Sequence, residues 1–204
     1  MLDRGIAVAQ GIQRLRKALP DILAKGADAL SPRMIGIIEA LAADWRRLDE
    51  RIEEVSIEIE ALARKEAPCQ RLMTVPGIGP IISSATVATI GGGDMFAKGR
   101  DFGAWLGLTP KQLSTGGRTI LGKISKRGNK YLRTLFVQAA HVVLLKRVSW
   151  ERYGLKAWIE AAARRLHRNK LAIALANKLA RIAWAVLHYG RHFEVSHDHT
   201  PQPA

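Results

Sequence analysis

The most regular pattern of apolar positions in this chain lies between Met34 and Leu62. Apolar residues recur there at alternating spacings of four and three, at Met34, Ile38, Leu41, Trp45, Leu48, Ile52, Val55, Ile59 and Leu62. This heptad repeat predicts one long helix, and its length and charged outer face favour a coiled coil that joins copies of the chain through residues 33–64. The alternative is a helix packed on its own domain or paired with residues 2–24.

The ends of this helix carry their own signals. Ser31 is a good N-cap and Pro32 suits the first helical position, while Pro68 pushes Ala67 out of the helical region and predicts the end. Residues 2–24 also have near-helical apolar spacing. This spacing predicts a helix or a pair of helices, and Pro20 predicts a break near Leu19.

A second pattern is the turn Pro-Gly-Ile-Gly-Pro at residues 76–80, which separates two apolar segments. This is typical of a helix-hairpin-helix. Gly77 and Gly79 would let the backbone approach a partner closely, and the free amides at the start of the second helix would suit a phosphate. An ordinary tight turn between two helices would explain the same residues.

The remaining apolar positions predict further helices. Phe96, Phe102 and Trp105 indicate a short helix with a core-facing aromatic side, Tyr131 begins a long apolar helix that runs to Leu145, and residues 155–190 form the last helices. Pro110 and the Gly116-Gly117 pair keep residues 107–122 out of regular helix, so residues 114–117 are expected to form a polar loop. We therefore predict an all-α fold with three regions: a helical and coiled-coil region at 1–67, a helix-hairpin-helix-containing domain at 68–192, and a disordered tail at 193–204.

Charge changes the picture after residue 70. The net charge is +14, but residues 1–70 hold eleven Lys/Arg against twelve Asp/Glu, whereas residues 71–204 hold twenty-one against six. Six cations without a carboxylate fall within residues 118–133: Arg118, Lys123, Lys126, Arg127, Lys130 and Arg133. A solvated surface helix would normally interleave acidic residues, so this segment predicts contact with DNA. An anionic membrane surface is the less favoured partner.

The sequence offers little for metal or thiol chemistry. Cys69 is the only cysteine, which rules out an internal disulfide and fits a reducing cytoplasm. His188, His192, His197 and His199 cluster near the C-terminus without a carboxylate or cysteine spaced to complete a metal site. The apolar run at the N-terminus is too broken for a signal peptide, and no membrane span is expected.

Three segments together resemble the C-terminal part of the insertion-sequence 110/116/902 transposases. They are PGIGP, the string GLTPKQLSTGGRTILGKISKRGNKYLR from Gly107 to Arg133, and ALANKLARIAWAVL near the end. The resemblance implies a bacterial, nucleoid-associated protein that acts on DNA together with a structured guide RNA. It also implies an N-terminal ribonuclease-H-like domain with a metal-binding acidic tetrad. This sequence starts inside the linking helical region, so we expect Mg²⁺ only with that acidic domain, and a chain that is inactive alone.

The resemblance also implies a serine that attacks DNA, in the Ser114-Thr115-Gly116-Gly117 loop. Ser114 is the first assignment and Thr115 the alternative, and nearby cations would stabilise the charge that develops on the phosphate. The same loop could be a phosphate-binding turn. The rival function is a non-catalytic DNA-binding or assembly protein derived from a transposase, and a third is a repair or junction-binding module that does not need Ser114.

Overall fold

The computed structural model describes residues 5–25, 29–115 and 118–194, without the side chains of Lys25, Thr115, Arg118, Thr119 and Ser149. The chain divides into two compact units, one ending at Ile57 and the other beginning at Glu58. The described residues form nine α-helices and one two-stranded sheet. The fold is therefore predominantly helical, as the sequence predicts.

The first unit is built on two helices, α1 (Ile12–Lys25) and the start of α2 (Pro32–Lys65). Contrary to the predicted break near Leu19, α1 continues through Pro20. Proline removes one backbone hydrogen bond from a helix, and here the residues on both sides of Pro20 stay helical. Ile22, in the turn after Pro20, is buried, so packing outweighs the local preference of proline.

Helix α2 runs over 34 residues without interruption, as the heptad pattern predicts. The Ser31 hydroxyl accepts a hydrogen bond from the Met34 amide at 3.4 Å, which confirms the N-cap. Ile38 and Ala42 are buried, and Arg16 of α1 both pairs with Asp49 and lies 5.1 Å from the Trp45 ring centroid. Helix α1 therefore covers only part of the apolar repeat.

Helix α9 (Arg168–His188) lies at the centre of the second unit. Four helices pack on it, namely α3 (Ala67–Leu72), α5 (Gly99–Trp105), α6 (Lys130–Leu145) and α8 (Lys156–Ala163). Helix α4 (Pro80–Ile90) packs on α3 and α6, and the short α7 (Ser149–Arg152) lies between α6 and α8 in the chain. Phe102 lies at the centre of the core, with its ring centroid 5.3 Å from that of Phe96 and 5.9 Å from that of Phe136. The predicted core role of the aromatic residues is confirmed.

Within the residues that the structure describes, one helix, α9, is long and apolar enough to cross a membrane by length and composition alone. Leu175, Leu179 and Ala183 of α9 are nevertheless fully buried in this core, against α5 and α6. The apolar character of α9 is thus explained by its place at the centre of the unit.

Residues 110–124 differ from the expected polar loop, because they form an antiparallel β-hairpin. Strand β1 (Pro110–Thr115) pairs with β2 (Arg118–Ile124), and the register shifts between Pro110 and Gln112. Leu113, Ile120 and Leu121 are all exposed. The sequence misleads here because the apolar positions of a small exposed hairpin do not face a core, so no clean alternation marks the strands.

The described chain extends past the predicted start of the tail at residue 193. The Phe193 amide donates to the Thr74 hydroxyl at 2.8 Å, and the Phe193 ring lies 6.4 Å from that of Tyr153. Residues 195–204, which include His197 and His199, lie outside the described residues.

Candidate nucleic-acid interface

The turn between α3 and α4 contains two glycines with different surroundings: Gly77 is packed against α6, whereas Gly79 borders open space. Gly77 has a φ of +77°, and a Cβ placed there would lie 2.7 Å from the Ala139 carbonyl oxygen of α6. Gly77 is therefore required for the turn to pack against α6. Gly79 is the N-cap of α4, and a Cβ there would meet nothing within 4 Å. Of the two predicted DNA-binding glycines, only Gly79 borders open space.

The basic segment, residues 118–133, includes the loop that follows β2. The backbone of this loop is hydrogen-bonded to the residues that follow α5. The Ser125 amide donates to the Thr109 carbonyl at 2.8 Å, and the Lys126 amide donates to the Gly107 carbonyl at 3.2 Å. Gly128 has a φ of +83°, and a Cβ there would lie 1.7 Å from the Trp105 carbonyl oxygen. This close approach leaves no room for a side chain at residue 128, so the backbone of this loop packs directly against the end of α5.

Arg133 takes part in the same attachment. Its Nη1 donates to the Leu106 carbonyl at 3.0 Å and to the Arg127 carbonyl at 3.3 Å. The guanidinium thus joins the end of α5 to the segment before α6. Its nearest contacts are those of a positioning residue within the fold.

The other cations of the segment are directed to solvent. Lys123, Lys126, Arg127 and Lys130 are exposed, and none of them forms a salt bridge within the described part of the chain. Lys126 also has a positive φ of 55°, which is uncommon for a residue with a side chain. The structure therefore brings four of the six predicted cations to one exposed stretch, with Arg133 beneath them. The side chain of Arg118 lies outside the description.

Ser114 lies on β1 opposite Thr119, one residue pair from the described end of the hairpin. Its exposed hydroxyl accepts a hydrogen bond from the Gln112 side-chain amide at 3.2 Å. Alternate residues of a strand share a face, so Ser114 lies on the same face as Gln112 and Leu121, the partner of Gln112. A nucleophile in this position is open to a large substrate. The Thr115 side chain, the alternative, is not described, and neither are Gly116 and Gly117.

His188 and Cys69 both contact neighbouring side chains of the fold. The His188 ring stacks on Trp184 at 4.6 Å, and its Nδ1 lies 3.4 Å from an Asp94 carboxylate oxygen. Burial, and then the neighbouring Glu66, raise the pKa of the Cys69 thiol to about 11, which leaves it a poor nucleophile at neutral pH. No three His, Cys, Asp or Glu side chains among residues 5–25, 29–115 and 118–194 converge as metal ligands.

A second group of cations, on α9, is not apparent from the sequence. Lys170, Lys178 and Arg181 line a cavity together with Lys123 and Lys126 of the basic segment. They are spread over twelve residues of an apolar helix, so they do not form a basic run. Their spacings of eight and three place them on neighbouring sides of a helix, which is the signal that could have revealed them.

Comparison with known proteins places these features in a family. A family model described as "Transposase IS116/IS110/IS902 family" matches residues 69–155. The transposase for insertion sequence element IS1328 of Yersinia enterocolitica is 38% identical over 195 residues, which are 95% of this chain and 57% of that protein. A probable family 20 transposase of Pseudomonas aeruginosa is 40% identical over 182 residues, 89% of this chain and 54% of that protein.

A third relative is the transposase for insertion sequence element IS1111A of Coxiella burnetii, 37% identical over 185 residues, 91% of this chain and 50% of that protein. The chain spans about half the length of these curated relatives. The matched residues contain the α3–α4 turn, the hairpin with Ser114 and the basic segment. Residues 69–155 match the model of the IS116/IS110/IS902 transposase family, and most of the chain is similar to insertion-sequence transposases.

Proposed function

We propose that this chain binds DNA through its basic segment and acts in the transposition of a bacterial insertion sequence. The observation that carries the proposal is the stretch from Lys123 to Lys130, which exposes four cations. Its backbone is hydrogen-bonded at residues 125 and 126 to the segment that follows α5. Cations without acidic partners attract the phosphate backbone and gain free energy by releasing its counterions. Because such contacts reach phosphates, they position the protein and do not read sequence.

Ser114 is the proposed nucleophile. Its Oγ would attack a phosphorus atom of DNA, so that an O–P bond forms and one P–O bond to a sugar breaks. The serine proton passes to the departing sugar oxygen, directly or through solvent, so that this oxygen ends as a hydroxyl group. The exposure of Ser114 at the end of a hairpin supports this role, because a duplex can reach it. Thr115, the next residue, is the alternative nucleophile.

The whole protein is proposed to act in the bacterial cytoplasm with DNA and a structured guide RNA, and with further copies of the chain. Self-association is supported by α2, where Leu41 is 63%, Leu48 is 62% and Ile52 is 63% exposed. These residues continue the heptad spacing along a side of α2 that α1 leaves open. Such exposed apolar side chains at heptad positions are typical of a coiled-coil seam. Helix α2 thus supports both interpretations of its heptad repeat: one part of the repeat pairs with α1, and the exposed part offers a seam for another copy of the chain.

The DNA-binding proposal is tested by a salt titration with a labelled duplex of about 20 base pairs. The unmodified chain should lose orders of magnitude in affinity between about 50 and 200 mM salt. The triple variant Lys126→Gln, Arg127→Gln, Lys130→Gln should bind more weakly to every duplex sequence, with a slope of log K against log salt that is shallower by about 2 to 3. Arg46→Gln, Arg47→Gln, Lys65→Gln on α2 removes the same charge and is the matched control. Salt-independent binding, or an equal loss in both variants, contradicts the proposal.

A further inference from the structure

A groove of about 940 Å³ lies between β2 and α9. We call it the α9 groove. Its apolar lining includes Leu121 and Ile124 of the hairpin, Leu166 before α9, and Ile173 of α9. Trp158 of α8 also lines it and is half-buried. The groove thus combines an apolar floor with one aromatic ring.

The rims of the α9 groove are cationic. Lys123 and Lys126 lie on the hairpin side, and Lys170, Lys178 and Arg181 lie on the α9 side. No Asp or Glu lines the groove, and none of these five cations forms a salt bridge among the residues that the structure describes. A cavity with five cations and no acidic group favours an anionic occupant.

Lys178 is the cation held most tightly. Its Nζ lies 5.2 Å from the centroid of the Trp158 ring, and the side chain is half-buried. Burial, and then the nearby Arg181, lower its pKa, because both disfavour the charged form. A phosphate in the groove would offset both effects.

The cationic surface continues beyond the groove. A second cavity of about 460 Å³ shares Lys178 and Arg181 with the α9 groove and adds Lys98 and Arg100 at the start of α5. The two cavities therefore form a path along α9 that is longer than one phosphate group. An extended polyanion fits this path better than a small anion does.

We propose that the α9 groove binds a single strand of DNA. A duplex presents sugars and phosphates outward and keeps its base faces stacked inside, whereas a single strand can place phosphates on cationic rims and base faces on an apolar floor and an aromatic ring. Asn169 and Asn177 supply the only side-chain acceptors among the described residues that line the groove, so a 2′-hydroxyl group would find few partners and DNA is preferred to RNA.

The hairpin connects this groove to the proposed chemistry. Leu121 and Ile124, which line the groove, pair with Gln112 and Pro110, and Ser114 follows on the same face of β1 toward the end of the hairpin. A strand in the groove would therefore run along the hairpin face that carries Ser114. The proposal goes beyond duplex binding by the basic segment, since it assigns α9 and Trp158 to a separated strand.

The test uses the full chain and fluorescein-labelled oligo(dT) of about 12 nucleotides, with binding followed by anisotropy. The groove variant is Lys170→Gln, Lys178→Gln, Arg181→Gln, and the control is Arg46→Gln, Arg47→Gln, Lys65→Gln on α2. Three lost phosphate contacts should weaken binding at least about tenfold and make the salt slope shallower by about 2. Circular dichroism checks that both variants keep their helices.

A second variant tests stacking separately from charge. Trp158→Leu keeps the site apolar and should weaken oligo(dT) binding by about 5- to 150-fold for one lost base stack, with an unchanged salt slope. Equal affinity and salt slope in the groove variant and the control would overturn the proposal. So would oligo(U) binding as tightly as oligo(dT), or polyglutamate displacing the strand as effectively as DNA of the same charge.

The duplex titration separates this proposal from the function proposed above. If the groove variant loses oligo(dT) but keeps duplex binding, the two surfaces act on different forms of DNA and both proposals stand. If the unmodified chain binds oligo(dT) through the groove but does not bind a duplex, the DNA-duplex proposal fails and the groove proposal stands.

Discussion

The substitution Gly77→Ala should strongly destabilise the second unit, whereas Gly79→Ala should not. An alanine at a φ of +77° costs about 1–2 kcal/mol, because its Cβ crowds the backbone in the left-handed region. That Cβ would also lie 2.7 Å from the Ala139 carbonyl oxygen and 3.0 Å from a Val143 methyl carbon, so α6 or the turn must move. Overpacking of this kind costs about 1–3 kcal/mol. We therefore expect a loss of about 2–5 kcal/mol in the free energy of unfolding.

Gly79 is the matched control two residues away. Its φ is −106°, and a Cβ would meet nothing within 4 Å. Alanine there should lower the free energy of unfolding by less than about 1 kcal/mol, because the stiffer unfolded chain partly offsets the poorer N-cap.

Urea unfolding followed by tryptophan fluorescence measures both changes. In a Trp45→Phe background the remaining tryptophans, Trp105, Trp150, Trp158 and Trp184, all lie in the second unit. With a urea dependence of about 2 kcal/mol per molar, Gly77→Ala should lower the midpoint by about 1–2.5 M. A midpoint unchanged by Gly77→Ala, or lowered equally by Gly79→Ala, would refute the assignment of Gly77 to packing.

Three further outcomes follow from other parts of the chain. The double variant Leu48→Asp, Ile52→Asp should dissociate an assembly held by α2, because the substitutions would place unpaired charges in the seam. Sedimentation of the unmodified chain as a monomer at micromolar concentration would refute the seam. The pKa of Cys69 is higher in the folded chain than its ordinary value, so this thiol stabilises the fold below a pH of about 9. This contribution should be lost as the pH rises from about 9 toward 11. Urea titrations of a Cys69→Ser variant should lack this pH dependence. Arg133→Gln should lower the free energy of unfolding by about 1–3 kcal/mol because it leaves the Leu106 carbonyl without its donor, while Lys130→Gln should leave it nearly unchanged.

Local sequence signals predicted the helices well. Ser31 and Pro32 mark the start of α2, and the apolar runs mark α6 and α9, because capping and periodicity act within a few residues along the chain. The aromatic core around Phe102 was predictable for the same reason. The family resemblance rests on the stretch from Gly107 to Arg133, which the family comparison also covers.

The features that the sequence does not predict depend on contacts between residues that are far apart along the chain. Arg133 is one of six cations in a run, and only its 3.0 Å bond to Leu106, twenty-seven residues earlier, separates it from the exposed lysines. The hairpin was missed because its apolar residues stay exposed. The α9 groove was missed because Lys178 and Trp158 meet through the packing of α8 on α9.

The most direct test of the central claim is to identify the residue that becomes linked to DNA. In a chimera, this chain would replace the matching part of the IS1328 transposase, and it would be supplied with donor and target DNA sites and the proposed guide RNA. Ser114 is predicted to form a covalent protein–DNA adduct, located by peptide mass spectrometry, that is absent in Ser114→Ala and retained in Thr115→Val. An adduct on Thr115, or recombination that persists in Ser114→Ala, would contradict the assignment.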